Sequence, residues 1–197
     1  MISSSLLGGH QKMNAEMKAD SHTYFQEQKL RVDQQVNDAL AVNFLDSAMR
    51  QSQVLWDREV HSLSLSELQT IMLDYINSIR KEHKLAPFQL LDLPLAQEHS
   101  KYLSESGEDK ELDWNDHFDA KGRSIFDRMM DTKIFFISAG ENLSTVPPGV
   151  TVRQIVDAWM ESTMGHREAL LASKYQQIMI GHHPKSNNVV LDFVGFD

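Results

Sequence analysis

The chain has 197 residues, 41% of them hydrophobic and 24% charged, with 28 acidic against 19 basic side chains and a formal net charge of −9. That length suits one domain with a real core plus an extension, and the acidic balance argues against a nucleic-acid partner because no Lys/Arg cluster offsets repulsion from phosphates. The absence of cysteine excludes disulfides, a thiolate nucleophile and a Cys-ligated metal, and no apolar run is long enough for a transmembrane segment.

Residues 1–12 read as a loose terminus. Met1–Gly9 (MISSSLLGG) lacks a basic n-region and has too short an apolar run for a secretory signal. From about Asn14 to Val60 the chain has neither Pro nor Gly and is rich in helix formers. Leu30, Val36, Leu40, Phe44, Leu45, Ala48, Met49 and Leu55 recur at roughly helical spacing. Residues 1–62 are therefore expected to form a helical N-terminal extension, packed on the main domain or acting as a self-associating or partner-binding arm, with disorder as the third alternative.

Ser64-Leu65-Ser66-Glu67 is a capping-box pattern. It opens a helix that carries Leu65, Leu68, Ile71, Met72, Tyr75, Ile76 and Ile79 on one face and stops near Lys84, ahead of Pro87. Pro94 starts a second helix with Leu95, Ala96, His99, Tyr102 and Leu103. Residues 104–119 read as an acidic loop, 124–130 as a short helix and 134–143 as a strand interrupted by Gly140. Thr151-Val152-Arg153-Gln154 is another capping box, and Val152, Ile155, Val156 and Trp159 follow helical spacing. Residues 177–182 and 189–196 read as strands joined by a short turn, which predicts an antiparallel pair. This order of helices, strand, helix and hairpin predicts an α+β fold over residues 63–197.

Most of the nine histidines read as ordinary. His10, His22, His61 and His83 have polar neighbours and read as solvated, and His99 reads as a partly buried packing residue. His182 and His183 are consecutive on a strand and so point to opposite faces. Ser138, Ser144 and Ser162 lie in no nucleophile elbow, and no zincin motif is present. Asn142-Leu143-Ser144 fits a glycosylation sequon by composition alone. His117, Glu141, Glu161 and His166 are the remaining set, and spacing alone does not bring them together.

Ordered motifs do. Asp74–Arg80 with Leu85-Ala86-Pro87-Phe88, Leu93–Leu103, His117–Ser124 with Asp127-Arg128, Ala139-Gly140-Glu141-Asn142-Leu143, Trp159-Met160-Glu161-Ser162 with Gly165-His166-Arg167, and Ile180-Gly181 resemble, in order, the motifs of the CAP superfamily (cysteine-rich secretory, antigen 5 and pathogenesis-related proteins, SCP-like), in particular its cysteine-free bacterial branch. The resemblance runs from about Leu68 to Phe196. It implies a three-layer α-β-α sandwich around an antiparallel sheet, with His117, Glu141, Glu161 and His166 as a cleft tetrad. It also implies an extracellular, periplasmic or cell-surface location. Ala169 stands where bacterial relatives usually carry Asn.

Two imidazoles and two carboxylates suit zinc or another divalent cation. Glu141 or Glu161 could ligate, orient a water or act as general base. Without metal, each His is expected to gain a raised pKa beside its carboxylate. The leading functional expectation is a binding protein with a metal-holding cleft and a protein or small-molecule partner. A metal-dependent, peptidase-like hydrolase using the same tetrad and a lipid- or sterol-binding protein are the alternatives.

Overall fold

The computed structural model describes residues 30–31, 34–42, 46–105, 112–185 and 187–196. The chain divides into two units, residues 1–51 and 52–197. In the first, 34–42 and 46–50 are helical. Among its described residues, Leu30, Val36, Leu40 and Met49 are all exposed. The rest of the expected 14–60 helix, with His10, His22 and the terminus, lies outside the described residues.

The second unit begins with the helical residues 52–56, and the lead-in is fastened to the domain by side chains the periodicity did not single out. Trp56 Nε1 donates to Asp74 Oδ2 at 2.8 Å, and its ring stacks on Tyr75 with centroids 4.6 Å apart. Arg153 lies over both rings and donates to Asp57 at 2.6 Å. Val60 is fully buried, in a one-turn 3-10 helix over Val60–Ser62. Its N–H donates to Val150 O at 3.0 Å.

Helix α1 (Leu65–Glu82) starts at the expected capping box, with Ser64 accepting from Glu67 N and the Glu67 carboxylate accepting from Ser64 N. Next come β1 (Gln89–Leu90), α2 (Leu95–Glu105), α3 (Ile125–Met130), β2 (Ser138–Thr145), α4 (Val152–Glu161), α5 (His166–Leu171), β3 (Gln177–Gly181) and β4 (Asn188–Gly195). Thr151 and Gln154 form the second expected capping box, at α4. The strand expected over 134–143 is shifted to 138–145, because its limits follow pairing with β4, from Ser138↔Gly195 to Thr145↔Asn188.

The sheet order is β1-β3-β4-β2. The three long strands are antiparallel, as expected, and the two-residue β1 adds a parallel edge on β3. Strand β4 is central and every residue in it is buried. Val189, Leu191 and Phe193 face one layer with α1, α4 and α5. Val190 and Val194 face the other with α2 and α3. This is the three-layer α-β-α arrangement, with the core on both sides of one sheet.

Gly181 brings α2 onto that sheet, because a Cβ there would overlap the backbone of Ala96 and Gln97. The close approach lowers His99, one turn further along, into the layer interior. On the opposite layer Trp159 is the anchor, 2% exposed, with Nε1 donating to Leu143 O at 3.0 Å. Replacing Trp159 with Ala is expected to cost about 3–5 kcal/mol in urea denaturation. A cost near zero would mean that α4 does not depend on this contact.

Candidate functional site

On β4, Asp192 falls between Val190 and Val194, so it points into the α2–α3 layer, and it is completely buried. Its partner across the ladder is Glu141 of β2, whose side chain is only 2% exposed. Two carboxyls in one dry layer need a cation or a proton. Arg128 of α3 supplies the cation. Its guanidinium pairs with Glu141 Oε2 and lies 4.0 Å from Asp192 Oδ1. Burial, reinforced by the nearby Glu141 charge, pushes the Asp192 carboxyl well above the usual range. Burial also raises Glu141, opposed by Arg128. Arg128 pairs directly with Glu141, so Glu141 is the carboxyl that carries the charge, and Asp192, the deeper group, is the one held toward its protonated form.

That charge organises the histidines. His117 Nδ1 lies 3.0 Å from Glu141 Oε1. An ionised carboxylate only accepts, so Nδ1 carries the hydrogen and Nε2 keeps a lone pair. His117 closes a 3-10 turn, Trp114–His117, capped by Asp113, which accepts from Asn115 N at 2.7 Å. His99 supports the turn from beneath: its Nε2 donates to Asp116 O at 2.7 Å. Beyond it, Asp119 accepts from the Lys121 and Arg123 amides and closes the loop leading to α3.

His166 is the first residue of α5. Gly165 before it has φ 96°, a left-handed conformation that glycine adopts without strain. Asn142 Nδ2 donates to His166 O at 3.1 Å, which ties α5 to the strand that carries Glu141. A cavity of about 630 Å³ is lined by His117, Glu141 and His166, with Trp114 and Met164 at its mouth. Trp114 and Met164 are 74% and 84% exposed, so exposed apolar side chains flank the three polar ones in a lining that also includes Ile125 and Leu143.

Of the four expected residues, the structure gathers His117, Glu141 and His166. Glu161, the last residue of α4, is exposed and outside the cavity lining. Two positions beyond buried Trp159 on a helix is about 200° around it, which turns Glu161 away from the core. Among the described residues, no three His, Asp or Glu side chains converge to hold an ion. The four expected residues therefore do not form a four-ligand cage.

The histidine pKa values correct the expectation of a rise. Burial holds His117 below its usual range. His166 is lowered by burial and by nearby His117. His99 falls to about 4 through burial and the adjacent Arg128. Desolvation wins here because Arg128 already neutralises the Glu141 charge. All three rings are neutral near pH 7, the form that can ligate metal.

His99, Arg128 and Asp192 are the residues that sequence reasoning undervalued. His99 is 2% exposed, so it is fully buried rather than partly buried, and it supports the His117 turn from outside the cavity lining. The available signal for Asp192 was an ionisable residue inside the apolar run Val189–Val194, which demands a partner.

The His99 shift fixes a stability window. Above pH 6.5 the ring is neutral in both folded and unfolded chains. Between 6.5 and about 4 only the unfolded chain takes the proton, so stability falls as pH falls. His117 and His166 act in the same direction, whereas the raised carboxyls act in the opposite one. Lowering the pH from 7.5 to 4.5 should therefore remove about 2–3 kcal/mol more from the wild type than from His99→Gln, which retains a donor for Asp116 O. Equal losses in urea titrations would contradict the assignment.

Residues 73–194 match the family model described as "CAP: Cysteine-rich secretory protein family". The uncharacterized membrane protein YlbC of Bacillus subtilis (strain 168) is 34% identical over 110 residues, which is 56% of this chain and 30% of that protein. The chain thus spans less than a third of that relative's length. Among solved structures, an outer surface protein from Borrelia burgdorferi is similar with a TM-score of 0.54 and 21% identity, over 68% of this chain and 97% of that one. An extracellular SCP-domain protein from Bacillus anthracis gives 0.52 and 21%, over 68% and 44%. The motif order, the three-layer fold and the family match agree, and the chain belongs to the CAP (cysteine-rich secretory protein) family.

Proposed function

We propose that this CAP domain is a binding module whose cleft holds a divalent cation, zinc by its donor chemistry, between His117 and His166. The observation that carries the reading is the His117–Glu141–Arg128 chain. A buried carboxylate, itself held by a guanidinium, fixes the tautomer of His117 and keeps Nε2 available as a ligand. A carboxylate behind a ligating histidine is the usual outer-shell arrangement at such sites. His166 supplies the second neutral imidazole, and water would fill the remaining positions. When bound, the cation would polarise an oxygen-bearing ligand group. The chain's own residues orient the imidazoles and, through Trp114 and Met164, offer apolar contact at the cleft mouth.

Hydrolysis by the same residues has weaker support. Both Glu141 oxygens are engaged, by His117 and Arg128, and Glu161 is not in the cavity lining. An extracytoplasmic or surface location is proposed in line with relatives named as extracellular, outer-surface and membrane proteins. The exposed Leu30, Val36, Leu40 and Met49 support self-association through the extension.

Zinc titration calorimetry tests the cleft. Wild-type protein should bind in the micromolar range, and His117→Ala or His166→Ala should abolish binding at this site. Glu141→Gln should weaken it by about tenfold to a hundredfold. Unchanged binding in all three variants would overturn the reading.

A further inference from the structure

His61 and His182 are left unused by the cleft, and the structure corrects how His61 reads in sequence. His61 is not simply solvated: it is half-buried and its Nε2 is 2.8 Å from Val146 O. His182 is 5% exposed and its Nδ1 is 2.8 Å from Asn188 O. A carbonyl can only accept, so both contacts fix a tautomer. His61 must carry hydrogen on Nε2 and His182 on Nδ1. Each ring is left with one unprotonated nitrogen, Nδ1 of His61 and Nε2 of His182, and neither makes a hydrogen bond among the described residues. The ring centroids are 5.2 Å apart, with planes inclined by 69°. Both rings line a small cavity of about 140 Å³, rimmed by Ser64, Gln97 and Pro184.

We propose that His61 and His182 form a second divalent-metal site, separate from the cleft, that clips the lead-in segment to the end of the sheet. Two imidazoles bound to one zinc-like ion at a tetrahedral angle, with bonds of 2.0–2.1 Å, have centroids about 5 Å apart. A ligating histidine commonly donates its other N–H to a backbone carbonyl, as both rings do here. Burial also lowers the His182 pKa, which keeps the ring neutral. Among the described residues no third His, Cys, Asp or Glu joins the pair, so water completes the coordination and the ion exchanges readily. Such a site favours metals that prefer imidazole: zinc, nickel or copper.

The site has a structural consequence. His61 lies in the 3-10 turn that joins residues 52–59 to the domain, and His182 directly follows β3. An ion shared by the two ties the lead-in to the sheet in the folded state only, so it adds stability by mass action.

The test is zinc titration of full-length protein carrying His117→Ala and His166→Ala, which silences the cleft. One zinc-binding event should remain, with a rise in thermal midpoint. His61→Gln keeps a donor for Val146 O and His182→Asn keeps one for Asn188 O, yet each removes the ligand nitrogen. Outer-shell losses alone cost about tenfold to a hundredfold, so either change should weaken the remaining event by at least about tenfold. Zinc should also shift the His61 and His182 ring signals in NMR spectra of the wild type, a readout that does not depend on any variant folding. Unshifted ring signals, or a zinc event untouched by both substitutions, would overturn the site and leave the rings as packing partners.

Discussion

The cleft depends on one buried charge. Glu141 sits in a layer with almost no water, and it stays ionised because Arg128 reaches it from α3 while Asp192 keeps a proton behind it. A guanidinium and a carboxylate brought together in a dry layer gain little net stability over an apolar pair, since desolvation offsets their attraction. The arrangement is therefore better understood as a device for orientation. It turns His117 so that one nitrogen is spent on Glu141 and the other is free. His99 adds a backbone hydrogen bond that holds the His117 turn at the right height.

The fold explains why those groups meet. Strand β4 is covered on both sides, so any ionisable side chain on it must find partners within a helix layer, and β2 beside it offers Glu141. Helix α2 can carry His99 to that depth only because Gly181 lets its backbone rest on the sheet. On the opposite layer Trp159 and its bond to Leu143 O hold α4 against β2. Asn142 then ties α5, and with it His166, to the same strand. Both cleft histidines are thus referenced to β2, the edge strand, which leaves the cavity open on the side that Trp114 and Met164 flank.

Much of this was legible in the sequence, for local reasons. The capping boxes at Ser64–Glu67 and Thr151–Gln154 are short-range patterns and appear as expected. Trp159 followed from helical spacing, and the final hairpin from two apolar runs around a turn. Features set by pairing were not legible: the two-residue β1, and the limits of β2, which answer to Gly195 and Asn188 far along the chain. His117, Glu141 and His166 were found through ordered motifs rather than through spacing. Glu161 came with them by resemblance, yet its position on α4 relative to Trp159 turns it outward. The supporting residues were harder to see. His99 and Arg128 look like ordinary helix residues, and only the fold reveals that they flank a buried carboxylate. The fall in histidine pKa has the same origin, because the neutralising Arg128 comes from a different element.

The orientation of His117 decides whether the cleft can hold a cation, and ¹⁵N-edited NMR of its ring reads that orientation. At pH 7.5 without metal, the ring should be neutral with hydrogen on Nδ1, and its free Nε2 should give a signal that moves when zinc is added. In Glu141→Gln that tautomer preference should weaken. A ring protonated on Nε2, or a charged imidazolium at that pH, would show that Glu141 does not fix the ligand nitrogen.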